Sequence, residues 1–340
     1  MVQVHTIHIS PPLCNSSCAW ASDYAQLQDL YACPYTGAIT TRTATLNGFQ
    51  ESDRNTVVFT RESFSSLNSY GYSPHPLKEY IEWSYNLLTH PSSSGTPPTK
   101  PVILSITESS PPLLTEMLSE IQQLRERLQS FHSSRPKSEQ GSLDPSTLVA
   151  VELNTSCPNI PDHPPPSYDP PALVPLLKVL ASAFEADPTL TIGLKLPPYT
   201  YSAQFQAILD VIAKLSTPHR ANPIAYLACT NTLGSSLLFS SQVVGSPSAQ
   251  DPHSFALPTG FGGLAGETIH ALSLGNVHTF SQLISKHPDP AVQRIKIIGI
   301  GGVTSPEAVK RMHAAGAHAV GCATFLGHQG VKAFELLLAS

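Results

Sequence analysis

Short apolar runs that alternate with helical periodicity, strand then helix, eight times over, constrain this chain more than any other feature. The runs are Pro12 to Asn15, Gly37 to Thr41, Pro101 to Ile106, Leu148 to Val151, Thr191 to Leu196, Ile224 to Thr230, Ile295 to Ile300 and Ala319 to Cys322. Between them lie a helix from Asp23 through Ala32 and one with Tyr80, Ile81, Tyr85 and Leu88 on one face. A third carries Leu114, Met117, Ile121, Leu124 and Leu128, a fourth runs near Ala172 to Phe184, and a fifth presents Phe205, Ile208, Leu209, Ile212 and Leu215. Others follow Gly266, start at Pro306 and end the chain. A strand that returns through a helix each time must lie parallel to its predecessor. Eight such units predict an α/β fold, a closed (β/α)8 TIM barrel with long loop excursions at its C-terminal mouth. A doubly wound open sheet is the alternative.

With 340 residues, 41% of them hydrophobic, the chain can bury one full core, and residues 1–340 read as a single barrel domain. The polar, aperiodic stretch at about 132–146 reads as a surface insertion, because the alternation resumes unchanged beyond it. Two excursions are long enough to be functional. One carries a short hairpin at Thr56 to Thr60 and ends in Asn68-Ser69-Tyr70-Gly71-Tyr72, and the other is the Gly, Ser and Pro rich segment Gly234 to Gly266. His5 to Ile9 reads as a small strand ahead of the core.

The net charge is −5 and the Lys and Arg residues are scattered, which leaves no electrostatic footprint for nucleic acid. The first thirty residues contain Pro11, Pro12 and Asp23 and no long apolar run, so neither a leader peptide nor a membrane segment is expected, and the predicted location is the cytoplasm. Six cysteines spread over the whole length suit reduced thiols, and Cys14 with Cys18 lacks the second pair that a metal site requires.

In a barrel of this kind the strand C-termini share one mouth. That brings together Asn15, Ser16 and Ser17, Arg42 and Thr43, Asn154 and Cys157, Lys195, Asn231 and Thr232, Gly301 and Gly302, and Ala323 and Thr324. Pro158, Pro161, Pro164, Pro165 and Pro166 forbid a helix directly after the fourth run, which predicts an exposed loop for Cys157. Two subsites follow. Gly299-Ile300-Gly301-Gly302, with Ala323-Thr324 and the upstream Gly262-Gly263-Leu264-Ala265-Gly266, would let backbone N–H groups approach a phosphate. Asn68, Asn154, Asn159 and Asn231 supply donors and acceptors for a planar imide or amide ring, with Arg42 as partner for a carboxylate, so the ligand expected is a small heterocyclic acid. Lys195 lies in an apolar strand, facing either outward or an electron-rich ring.

The segments Glu152-Leu153-Asn154-Thr155-Ser156-Cys157-Pro158-Asn159, Gly193-Leu194-Lys195-Leu196-Pro197-Pro198-Tyr199, Gly260-Phe261-Gly262-Gly263 and Ile297-Ile298-Gly299-Ile300-Gly301-Gly302 resemble the class 1A dihydroorotate dehydrogenases and occur in that family's order. The resemblance covers nearly the whole chain. It implies an FMN in the barrel mouth, Cys157 as the base that takes a proton from C5 of dihydroorotate, hydride transfer from C6 to flavin N5, and orotate as product. Fumarate would reoxidise the flavin, and the enzyme would be a cytosolic homodimer. Asn68, Asn154, Asn159, Asn231 and Thr232 would hold the substrate, and Lys195 would lie against the flavin's N1 and O2 edge. Ser16, Ser17, Thr43, Thr230, Gly266, Gly301, Gly302, Ala323 and Thr324 match positions that contact FMN, and Asn154 and Arg42 stand where both ligands are touched.

The departures fall on the substrate side. The family has a lysine where this chain has Arg42, and methionine and leucine where Tyr70 and Tyr72 flank Gly71. A related flavin enzyme acting on another small ring or enone therefore stands as the alternative. A non-redox barrel enzyme that grips a phosphorylated metabolite and uses Lys195 as nucleophile is a further alternative, which colour separates from a flavin enzyme. In a non-catalytic flavin-binding protein the loop thiol beside two amides would have no purpose.

Overall fold

The computed structural model describes every residue except 91–98, 137–142, 160–164, 217–220, 245–250, 252 and 340. Among the described residues, eight parallel strands form the centre: β1 (Leu13–Asn15), β2 (Ile39–Thr40), β3 (Val102–Ile106), β4 (Val149–Asn154), β5 (Thr191–Leu196), β6 (Ile224–Cys229), β7 (Lys296–Ile300) and β8 (Ala319–Cys322). Each pairs with its successor from β2 through β8, β8 returns to β1, and a parallel bridge between Cys14 and Ala38 joins β1 to β2. The sheet thus closes into the expected (β/α)8 barrel, and the open-sheet alternative is set aside.

The helices form where the apolar spacing and the end signals agree. Asp23 accepts from the Gln26 N–H at 2.9 Å and starts the helix Tyr24–Ala32. Pro111 and Pro112 open the helix Pro111–Ser134, whose Leu114, Met117, Ile121, Leu124 and Leu128 are fully buried against the strands. Ser305 caps Pro306–Ala315 at one end and Gly316, at φ +113°, ends it at the other. Tyr85 is only partly buried and lies under the Arg127 guanidinium, so it is at the edge of the helix face expected for it. Leu215 falls beyond the last turn of Ser202–Ala213.

The N-terminal end of the barrel is plugged. Val2–Val4 and Ile7–Ile9 form an antiparallel hairpin, of which only the second strand was legible in the sequence. Val4, Ile7 and Ile9 are fully buried in one cluster with Ala38, Ile103, Ala150 and Tyr226, and each isoleucine there contributes about 1.5–3 kcal/mol of burial. The Thr6 hydroxyl bonds that of Thr191, the first residue of β5, at 2.8 Å and fixes the plug in place.

At the mouth, the two excursions build one structure. Val57–Phe59, Ser65–Asn68, Phe261–Gly266 and Leu233–Leu237 form a four-stranded antiparallel sheet, with Asn68 opposite Gly263 and Ser65 opposite Gly266. The hairpin expected at Thr56 to Thr60 is the outer strand of this roof. The insertion expected at 132–146 begins inside the helix that ends at Ser134 and finishes in a 3-10 turn, Pro145–Leu148, capped by Asp144, while 137–142 lie outside the described residues.

Candidate active site

After Asn154 ends β4, the chain turns sharply. The Asn154 Oδ1 accepts from the backbone N–H and the hydroxyl of Ser156 at 3.2 and 3.1 Å, and the Thr155 hydroxyl donates to the Lys195 carbonyl at 2.8 Å. The turn carries Cys157 into the mouth. It is partly buried rather than exposed, because the roof and Tyr70-Gly71-Tyr72 wall the same space. Burial pushes its thiol up to about 11, against the smaller downward pulls of the Asn159 backbone N–H and the Arg42 and Lys195 charges. Among the described residues between β4 and Pro170 no α-helix starts, as the prolines require; Pro161 and Pro164 lie outside the described residues.

The four asparagines converge, but partly on one another. Asn231 donates to the Asn154 Oδ1 at 3.2 Å and to the Ser156 hydroxyl at 2.9 Å, and Asn154 donates to the Thr43 hydroxyl at 3.0 Å. Asn159 donates to the Asn68 Oδ1 at 3.1 Å and to the Tyr70 carbonyl at 2.8 Å, while Asn68 donates to the Gly263 carbonyl at 3.1 Å. The amides therefore form two braced pairs, Asn154 with Asn231 and Asn68 with Asn159, with fewer free donors than four separate side chains would offer. Bracing fixes which way each carboxamide points.

Lys195 faces inward. It is 3% exposed, and its Nζ donates to the Ser16 Oγ at 2.6 Å. Glu152 is also buried inside the barrel; burial raises its carboxyl pKa despite Lys195 and Tyr226, and its Oε1 has no hydrogen-bond partner among the described residues.

The mouth end of the cleft holds about 730 Å³ and the glycine end about 460 Å³, and the two share Ser17, Lys195, Asn231, Thr232, Ala265, Ala323 and Thr324. Arg42, Thr43, Asn68, Tyr70, Gly71, Tyr72, Asn154, Cys157 and Asn159 line the mouth, and Ser16, Thr230, Gly266, Gly301 and Gly302 the far end. Asn15, also expected at the mouth, lines neither, because its buried amide bonds the Thr40 backbone. The backbone at Gly301 and Gly302 runs at φ +123° and +68°, a conformation that turns the chain around the cavity and favours glycine. Gly262 and Gly263 do not join this cradle. They sit on the roof strand, where a Cβ on Gly263 would lie 2.2 Å from the Thr232 Oγ1, so their smallness serves close approach of the roof.

Comparison with known proteins decides the lineage. The family profile described as dihydroorotate dehydrogenase matches residues 2–339. The chain belongs to the dihydroorotate dehydrogenase family. It is 33% identical over 190 residues to a probable dihydroorotate dehydrogenase A (fumarate) of Enterococcus faecalis, an alignment that covers 55% of this chain and 52% of that protein. It is 33% identical over 188 residues to the dihydroorotate dehydrogenase (fumarate) of Kluyveromyces lactis, covering 54% and 51%, and 34% identical over 186 residues to a putative dihydroorotate dehydrogenase A (fumarate) of Streptococcus equi subsp. equi, covering 54% and 51%. The chain thus spans about half the length of the curated relatives it matches.

For a dihydroorotate dehydrogenase fold of this kind, the cleft has a consistent donor set. Among the described residues that line it, the charged side chains are Arg42 and Lys195, with no carboxylate, and the rest of the polar lining is hydroxyl, amide and thiol. Such a lining suits a phosphate and an electron-rich ring.

Arg42 lines the mouth but is also engaged within the protein. Its guanidinium already has a carboxylate partner, Glu51, at 2.5 Å, donates to the Ser22 hydroxyl at 3.2 Å, and stacks on the Tyr70 ring with its Cζ 5.0 Å from the centroid. Glu51 was not legible as a site residue, because a single acid inside an irregular excursion carries no periodicity or motif. Ser66, which lines the mouth and bonds the Thr324 hydroxyl at 3.3 Å, was missed for a related reason: besides Val57–Phe59, its strand pairs with a segment almost two hundred residues away. No helix among the described residues is long and apolar enough to cross a membrane.

Proposed function

We propose that this chain is an FMN-dependent oxidoreductase that oxidises (S)-dihydroorotate to orotate in pyrimidine biosynthesis, with fumarate as the electron acceptor. The reading rests chiefly on one observation: Cys157, the braced asparagines and Lys195 line a single cleft that continues to the Gly301–Gly302 turn. FMN would lie with its phosphate among Gly266, Gly301, Gly302, Ala323 and Thr324 and its ring towards Lys195, with Ser16, Ser17, Thr43 and Thr230 as further partners.

When bound, the flavin accepts the hydride that leaves C6 of the substrate. The protein's own part is positioning and proton transfer. Asn68, Asn154, Asn159, Asn231 and Thr232 hold the ring by its amide and imide edges, and Arg42 meets its carboxylate. Cys157, as thiolate, takes the C5 proton, so loss of one proton and one hydride leaves the C5–C6 double bond of orotate. Lys195, held by Ser16, would offer its charge to the flavin ring and stabilise the reduced, anionic form. A homodimer acting in the cytoplasm is part of the same reading.

The test is anaerobic mixing of the FMN-loaded protein with dihydroorotate. Bleaching of the flavin absorbance, and its return on adding fumarate, is the expected result. A flavin that stays oxidised would move the assignment to a relative acting on another small ring or enone.

A further inference from the structure

Glu51 sits behind Arg42 as seen from the cleft: Arg42 lines the mouth and Glu51 does not. The two side chains, 27% and 7% exposed, meet at 2.5 Å through the Glu51 Oε1 and the Arg42 Nη2. The loop that carries the carboxylate is tied down on both sides. Phe49 donates its N–H to the Ser73 carbonyl at 2.8 Å, and the Asn55 amide donates to the Ser69 carbonyl at 3.0 Å. Both anchors lie on the segment that also presents Tyr70 to the guanidinium, so Glu51 and Tyr70 are held as one unit against Arg42.

We infer that Glu51 sets the affinity of this cleft for ring acids, as a fixed counter-charge that weakens the hold of Arg42 on a ligand carboxylate. The inference rests on the dihydroorotate reading. A buried guanidinium with no internal partner would grip any anion strongly, because charges attract far more in a dry cleft than in water. Substrate and product of the proposed reaction carry the same carboxylate, so a strong anion site would hold the product as firmly as the substrate. A carboxylate kept in contact with Arg42 from the far side cancels much of its field at the cleft. It leaves a guanidinium that orients the acid without trapping it.

The experiment compares the parent with Glu51→Gln, both loaded with FMN and oxidised, by calorimetric titration with orotate and with uracil, which has the ring but no carboxylate. Glutamine keeps an oxygen to accept from Arg42 and removes only the charge. Orotate should bind the variant roughly tenfold more tightly, as expected for one strengthened charge-assisted contact, while affinity for uracil does not rise. Glu51→Ala should move orotate in the same direction and covers the case in which the glutamine variant does not fold. Orotate affinity that is unchanged or weaker, or a gain shared equally by uracil, overturns the inference. A parent that binds orotate, with a variant that binds it no better, removes this inference alone; a parent that holds FMN yet binds no orotate removes the dihydroorotate reading and this inference together.

Discussion

Lys195 and Ser16 meet across the full width of the barrel: the lysine lies near the end of β5, the serine just past β1 four strands away, and Nζ donates to Oγ at 2.6 Å. The contact fixes a buried cation where the two ends of the cleft meet. Lys195→Gln should slow flavin reduction by dihydroorotate roughly a hundredfold, the scale for removing one preorganised stabilising group, while FMN stays bound. Anaerobic stopped-flow absorbance measures it, and an unchanged rate would take Lys195 out of the chemistry.

The burial of Cys157 sets a pH dependence. The thiolate is the working form, and a thiol pushed up to about 11 is almost wholly protonated at neutral pH. Raising the pH adds thiolate, so kcat/KM for dihydroorotate should climb about tenfold per pH unit through the mildly alkaline range, with its bend near the thiol's own value. Cys157→Ala should lose about a hundredfold or more and flatten that climb. A profile that stays flat from neutral to alkaline pH in the parent would show that another group takes the proton.

Arg42 and Tyr70 can be tested as a pair because they stack. With dihydroorotate as the substrate, Arg42→Lys should leave activity within roughly tenfold, about 1.4 kcal/mol of transition-state binding, and Tyr70→Met should be tolerated likewise. If the double change instead raises dihydroorotate oxidation well above the parent, the mouth is built for a different ring. Steady-state assays on the two single variants and the double variant separate these outcomes.

Stability should fall in mild acid through His318. Its Nδ1 accepts the Ile297 N–H at 3.2 Å, which only a neutral ring can do, and burial with the nearby Lys296 and His313 lowers its pKa to about 4. The unfolded chain binds the proton at about pH 6.5, so this contribution is complete above that pH and is lost as the pH falls towards 4. The expected loss is on the order of 1 kcal/mol, discounted for partial exposure. Thermal melts from pH 7 to pH 4 should show His318→Gln less sensitive to pH than the parent; equal slopes would assign the acid sensitivity elsewhere.

The barrel was legible because it is local information repeated. Buried parallel strands read as apolar runs such as Thr191 to Leu196, whose ends agree with those of β5, and the helix faces follow from 3.6-residue spacing. The cleft lining was legible for the same reason, since knowing the strand ends fixes what lies at the mouth. What sequence reasoning missed depends on pairing over distance. The roof joins Ser65–Asn68 to Phe261–Gly266, which no window of local periodicity spans, and Gly262 and Gly263 therefore read as part of a phosphate cradle when they are there to let strands and Thr232 come close. Arg42 was read only as a partner for a ligand carboxylate for the same reason: its internal partner, Glu51, has no local signature.

The roof also divides the labour of inheritance. Gly301, Gly302, Thr230 and Lys195 belong to barrel strands and their immediate ends, whereas Asn68, Tyr70, Tyr72 and Glu51 hang from the excursion that the roof supports. Substitutions in the excursion can reshape what is gripped without disturbing a single barrel register, and substitutions in the strands can hardly occur without disturbing several. A chain built this way can change what its mouth grips while the Gly301–Gly302 end of the cleft keeps its shape.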